Sequence, residues 1–163
     1  KFTEMFIEVL KIFDKDIEGL LLLPSENYLV PALEVYVKTK DEIKPISVYG
    51  DGIKKALILA ISVIFAHDGV LLIDEIETSL HYQYFNDIFS FLIKVAKISN
   101  VQMFISTHSK EVIEILLRIS ENIVNYDTQI YTLRQRNNKT LCRQLEGKNA
   151  LEYIVDSGLE VRD

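Results

Sequence analysis

Three short stretches of this 163-residue chain hold residue types that can do chemistry in combination. The first is Val70-Leu71-Leu72-Ile73-Asp74-Glu75, an unbroken apolar run that ends in two acids. A run without alternation reads as a strand covered on both faces, and open parallel sheets gather ligands beyond the carboxyl ends of their strands. Burying two unpaired carboxylates is costly, so acids at such an end point toward a ligand rather than a core. Asp74 suits Mg2+, a hard cation that prefers oxygen, and Glu75 suits a water to be oriented or deprotonated for attack on a γ-phosphate. The plain alternative is a pair of loop acids or helix caps. The second stretch, Ser106-Thr107-His108-Ser109, closes the next mostly apolar, strand-like stretch, Val101–Ile105. There His108 can donate to a γ-phosphate oxygen, or it can be a structural hydrogen-bonding residue beside a helix cap at Ser109. The third is Tyr49-Gly50-Asp51-Gly52-Ile53-Lys54-Lys55. Its glycines let the backbone approach an anion, and the helix that follows presents free N–H groups and a positive dipole end. A tight turn with Asp51 as N-cap is the plain alternative.

These stretches need a frame to hold them. Phe2, Phe6, Val9, Leu10, Phe13 and Ile17 recur at helical spacing, which predicts a helix over Phe2–Leu23 ending near Pro24. Ala32–Lys38 and Lys44–Tyr49 read as two strands joined by a turn at Thr39–Glu42. A strongly apolar helix, Ile53–Ala66, follows the glycine turn. Then come a strand at Val70–Ile73, a helix at Tyr82–Ala96, a strand at Val101–Ile105 and a helix at Lys110–Ile119. Strand, helix and strand with short links form the βαβ unit of a parallel sheet, which places His108 at the same sheet edge as Glu75. Thr128–Leu133 and Thr140–Leu145 flank Arg136-Asn137-Asn138-Lys139 as a β-hairpin, and Leu151–Val155 reads as a short final helix. The expectation is one α/β domain spanning 1–163.

Composition narrows the classes. Hydrophobic residues make up 48% and charged residues 26%, which excludes a disordered chain. The net charge of −6 argues against a domain that coats phosphate backbones with its whole surface, while leaving room for a local basic patch. Cys142 is the single cysteine, so no internal disulfide forms. The most lipid-like stretch, Ala56–Ala66, is far short of the about 20 residues that span a bilayer, and a cytoplasmic protein without a membrane partner is expected.

Taken in order, the glycine turn, helix, apolar run with Asp74-Glu75, helix and strand ending in Thr107-His108 resemble the C-terminal half of an ABC-type ATPase head. The likeness is closest to the soluble, RecF-like and overcoming-lysogenization-defect-like AAA-family ATP-binding proteins, and it covers about Ile46–Ile115. The resemblance implies ATP and Mg2+ as cofactors and a P-loop NTPase-like fold. It implies that Asp74 holds the metal, that Glu75 and His108 are catalytic as Walker B glutamate and switch histidine, and that Gly50, Asp51, Gly52 and Lys54 form the signature-like turn. Thr78-Ser79-Leu80-His81 then stands at the D-loop, with Ser79 and His81 near the nucleotide. Two departures argue against a transporter: the turn lacks the Ser-Gly-Gly-Gln wording, and His81 replaces the usual D-loop aspartate.

A P-loop, G-x-x-x-x-G-K-[ST], would hold the β- and γ-phosphates, and none of the six glycines offers it. Together with a first residue that is Lys1 rather than methionine, this gives the expectation that the Walker A half lies N-terminal to Lys1 and that the 163 residues alone bind ATP negligibly and do not hydrolyse it. The family arrangement is a homodimer of heads that sandwiches two nucleotides, so Gly50–Lys55 would act in trans while Asp74, Glu75 and His108 act in cis. Other readings remain open. Asp74-Glu75-Ile76-Glu77 resembles the acidic box of a helicase-type motor, and Asp74, Glu75, His81 and His108 could be assembled into a metal-dependent hydrolase. Arg134, Arg136, Lys139 and Arg143, with no acid between Gln129 and Gln144, could make the chain a module that touches DNA or an effector protein.

Overall fold

The first apolar stretch is two elements rather than one. In the computed structural model, which describes residues 2–24, 33–122, 128–147 and 149–150, helix α1 covers only Phe2–Leu10. The chain then tightens: Phe13 N–H donates to Leu10 O at 3.0 Å, and Asp16 N–H donates to the Asp14 carboxylate at 2.9 Å. This side-chain turn competes with helical bonding and releases Ile17–Pro24 as strand β1. The helix expected over Phe2–Leu23 is thereby corrected. The consecutive leucines at 20–23 pair antiparallel with β2 (Leu33–Thr39), and the register shifts between Ile17 and Gly19. Strand β3 is also shorter than expected. It holds only Ile43–Pro45, because Pro45 has no N–H to continue a ladder, and Ile46–Tyr49 winds into a 3-10 turn. The turn between β2 and β3 falls where expected, closed by Thr39 N–H on Glu42 O at 2.9 Å. The sheet order is β1-β2-β3.

Helix α2 (Asp51–Phe65) carries the main core, burying Ile53, Ala56, Leu57, Leu59, Ala60, Val63 and Ile64. It packs on α1 and on α3 (Phe85–Ile98), whose Phe85 and Phe89 stack at 5.2 Å between centroids. Strands β4 (Val70–Ile73) and β5 (Gln102–Ile105) pair as a parallel two-stranded sheet linked through α3. The expected double cover of β4 is not found among the described residues: Val70 is 56% and Leu72 75% exposed, while Ile73 is buried. Alternation in exposure, hidden by the uniformly apolar sequence, marks β4 as one-sided here.

The chain divides into two compact units, one of Lys1–Ile73 and Glu77–Phe104, the other of Asp74–Ile76 and Ile105–Asp163. The second contains α4 (Lys110–Asn122) and a hairpin of β6 (Gln129–Arg136) and β7 (Lys139–Glu146). Asn137 and Asn138 both have positive φ, 50° and 60°, the two-residue turn whose twist suits a hairpin. Ile130 and Leu145 seat the hairpin on Ile113 and Leu117 of α4. The expected helix at Leu151–Val155 lies outside the described residues.

Candidate functional site

Strand β4 delivers Asp74 and Glu75 to its carboxyl end, and β5 delivers Ser106 and His108 to its own. Ser106 ties these ends together. Its hydroxyl donates to Asp74 Oδ1 and accepts the Glu75 N–H at 2.9 Å, while its carbonyl accepts the Ile76 N–H at 3.3 Å. One residue thus fixes three in succession. Glu75 sits at φ 43°, a left-handed conformation uncommon for a non-glycine residue and found where surroundings over-determine the backbone. Its carboxylate lies 3.8 Å from His108 Nε2, with the His108 side chain 82% and the Glu75 side chain 53% exposed. The histidine therefore faces outward from the strand end beside the glutamate instead of filling a core position. Thr107 and Ser109 do the structural work around it. Thr107 Oγ1 accepts the Ser109 N–H at 3.0 Å, and Ser109 Oγ accepts the Val112 N–H at 3.3 Å, the N-cap bond of α4.

The glycine turn belongs to the other unit. Gly50 has φ 85° and ψ 179°, precedes α2 as its cap residue and offers no side-chain cap. Asp51 is thus the first helical residue, and the N-cap role raised for it from sequence is not the one it takes. Its carboxylate instead pairs with Lys54 Nζ at 2.9 Å. A Cβ at Gly50 would meet nothing within 4 Å, whereas one at Gly52 would come to 3.4 Å from Phe13 Cε1 and from Ser79 O. The signature-like turn and the D-loop-like segment are therefore neighbours, with Phe13 as a shared wall that also packs on Tyr84 at 4.5 Å. Ser79 adopts φ 67°. His81 Nδ1 accepts the Gln83 N–H at 3.5 Å, capping the 3-10 turn Tyr82–Tyr84. A histidine can fill this place because its unprotonated ring nitrogen does the acceptor's work of an aspartate. At the flank of the turn, burial pushes the Tyr49 phenol above its ordinary range, with Asp14 and Glu42 adding to the effect.

Two adjacent carboxylates, one steadied by a hydroxyl, suit Mg2+, which is bound through one or two carboxylates together with substrate phosphates. They do not make a self-sufficient cage. Among the described residues no group of three or more His, Cys, Asp or Glu side chains is arranged to hold a metal, which leaves the metal-hydrolase reading without a ligand set. Sequence reasoning gave Ser106 no role of its own. The only signal was a hydroxyl at the residue that ends the apolar run.

Together these features define a mixed α/β lobe of the P-loop NTPase-like kind, carrying a parallel βαβ core and a hairpin. The chain matches the AAA ATPase domain over residues 2–113 and belongs to that family. It is 31% identical over 149 residues to the ATP/GTP phosphatase of Helicobacter pylori, covering 89% of this chain and 39% of that protein. It is 32% identical over 114 residues to a Methanocaldococcus jannaschii protein, MJECL11, described as uncharacterized, covering 69% of this chain and 98% of that one. The chain thus spans about two-fifths of the Helicobacter relative. Among solved structures it is similar to a chain from the structural biochemistry of ATP-driven dimerization and DNA-stimulated activation of SMC ATPases, with TM-score 0.59, 17% identity, and 98% and 92% of the two chains covered. It is also similar to an SMC head bound to the C-winged helix domain of ScpA, with TM-score 0.62, 18% identity, and 93% and 44% covered. At such identities these two likenesses establish the fold. No described helix is long and apolar enough to cross a membrane.

Proposed function

We propose that this lobe supplies the catalytic acids of an ATP-hydrolysing head. In this reading Asp74 holds the nucleotide's Mg2+, Glu75 orients and deprotonates the attacking water, and His108 contacts the γ-phosphate. Bound Mg2+ would neutralise charge on the phosphate oxygens. The observation that carries the reading is the cluster at the strand ends, where Ser106 bonds to Asp74 and to the Glu75 N–H, and Glu75 lies 3.8 Å from His108. In this reading another part of the full-length protein supplies the phosphate-cradling loop, a sequence the 163 residues do not contain, and the isolated 163 residues are expected not to turn over ATP. Gly50, Asp51, Gly52 and Lys54 act in trans on the nucleotide of a second head in a homodimer, and Ser79 and His81 contribute from the D-loop position. Lys54 is available for this because an exposed ion pair such as that with Asp51 is worth about 0–1 kcal/mol and exchanges readily for a phosphate. The His81 substitution and the departure from Ser-Gly-Gly-Gln support placement in the soluble RecF-like, overcoming-lysogenization-defect-like branch.

Glu75→Gln in the full-length protein tests this reading. It keeps the shape of the side chain and removes the base, and general-base catalysis contributes about 10²–10⁴-fold. Turnover is expected to fall at least about 100-fold while ATP binding persists and the ATP-bound dimer lives longer. Turnover within a factor of about two of wild type would overturn the role of Glu75.

A further inference from the structure

The strongest feature that the nucleotide chemistry leaves unused is the hairpin. Residues directly opposite in an antiparallel pair share a face. The register Thr132↔Arg143, Arg134↔Leu141 and Arg136↔Lys139 therefore puts Arg134, Arg136, Lys139 and Arg143 on one face. Two independent contacts fix this division. Ile130 and Leu145, on the same face by register, are the residues seated on α4. Gln129, Tyr131 and Gln144 lie on the other face and are joined there, the Tyr131 hydroxyl and the Gln144 amide both donating to Gln129 Oε1 at 2.7 and 2.9 Å. The hairpin's one acid, Glu146, pairs in register with Gln129 and so lies on that other face as well. Beyond its seat on α4, the hairpin residues of the first face include these four cations and no acid, and all four cations are exposed. This lies on a chain whose net charge is −6.

We propose that this face of the hairpin binds the phosphate backbone of a nucleic-acid duplex without reading its sequence. The length fits. From Thr132 to Arg136 the strip runs about 14 Å at about 3.4 Å per residue, and each strand of a duplex offers a phosphate about every 3.4 Å along its axis. Four cations thus face about four phosphates. The chemistry also selects duplex over single strand. Single-strand binding draws on aromatic side chains on which bases stack, whereas the hairpin's one aromatic, Tyr131, lies on the opposite face. A protein partner is disfavoured because interface centres are built on buried aromatic and apolar anchors, and past its seat on α4 this face offers Leu141 alone among its cations. The proposal does not depend on the nucleotide reading.

Fluorescence anisotropy with the full-length protein and a labelled 30-base-pair DNA duplex, without nucleotide, tests it between 50 and 250 mM salt. Four neutralised phosphates predict a slope of log K against log salt of about −3.6, at about −0.9 per contact. Arg134→Glu with Arg136→Glu should weaken binding at least about tenfold and lower the slope by about 2, with an unchanged melting temperature. Arg134→Lys with Arg136→Lys, which keeps the point charges, should bind within about threefold of wild type. Arg118→Glu on α4 should bind like wild type. The proposal is overturned by an unchanged slope in the Glu double variant, by an equal loss in Arg118→Glu, or by a single strand binding more than tenfold tighter than the duplex. Competition by polyglutamate as effective as that by unlabelled duplex also overturns it. A Glu75→Gln protein that loses turnover but retains binding leaves the two readings separately judged.

Discussion

The strand-end cluster and the glycine turn are built on opposite plans. At the cluster, Ser106 makes two side-chain bonds and one backbone bond to the consecutive residues Asp74, Glu75 and Ile76, and Glu75 is kept in a left-handed conformation. At the turn, Gly50 has no side-chain cap, is held through its own N–H on Ser47 O at 3.5 Å, and has nothing within 4 Å of where a Cβ would stand, and the cation of Lys54 is lightly held by Asp51. The first arrangement restrains its groups in advance, the preorganisation that the proposed role of Glu75 as a base would require. The second presents open backbone.

Ser106 is the residue on which the restraint of the cluster depends. Ser106→Ala in the full-length protein removes the hydroxyl that holds Asp74 and the acceptor of the Glu75 N–H. Turnover is expected to fall about ten- to hundredfold, a barrier increase of about 1.4–2.7 kcal/mol, and the Mg2+ concentration for half-maximal rate to rise. Independently of activity, hydrogen exchange at the amides of residues 75 and 76 should accelerate. Ser106→Thr, which keeps the hydroxyl, should restore most of both. Wild-type exchange and Mg2+ dependence in the alanine variant would reduce Ser106 to a bystander.

The turn gives the complementary test. Gly50→Ala adds a Cβ that meets no neighbouring atom, so its cost is backbone strain alone, about 1–3 kcal/mol at such a dihedral. For a domain of this size, about 2–4 °C of melting temperature is expected per kcal/mol. If Gly50 acts across a dimer, ATP-dependent dimerisation should weaken while Glu75 and His108 remain able to support nucleotide binding in cis. A melting temperature equal to that of wild type would show that the turn adopts another conformation in solution.

Sequence patterns made the βαβ core legible because strand ends, glycines and helical periodicity each carry local signals there. Val70–Ile73, the strand ending at Ile105 and the Asn137-Asn138 turn fall where those signals put them. The opening of the chain was not legible in the same way. Helical spacing over Phe2–Ile17 is genuine as far as Leu10, but the side-chain turn at Asp14-Lys15-Asp16 and the bulge beside Gly19 outweigh it, and pairing with β2 is a long-range contact that periodicity does not encode. The role of Ser106 was hidden for a related reason, since a bond across 32 positions to Asp74 leaves no trace in local spacing. Exposure on β4 was hidden because an apolar residue reads the same whether its cover is present or absent.

A weaker, pH-dependent effect is tied to Tyr49 at the flank of the turn. Burial, helped by Asp14 and Glu42, keeps the Tyr49 phenol protonated above its ordinary value of 10.0. In the unfolded chain the phenol ionises first, so the unfolded state binds fewer protons than the native state once pH exceeds about 10. The stability tied to Tyr49 is therefore complete below pH 10 and is lost as pH rises through the native value. Lys40, held up by its hydrogen bond to Asp16, and Lys44, held up by Glu42, lose stability in the same alkaline direction, so a bare pH profile does not isolate the phenol. Tyr49→Phe does. Melting temperatures of wild type and variant should run parallel from pH 7 to 9, and wild type should then fall more steeply than the variant by pH 10.5. Parallel curves throughout would mean that the phenol is as hydrated in the native turn as in the unfolded chain, and the contrast between a restrained cluster and an open turn would then extend to the residue just before Gly50.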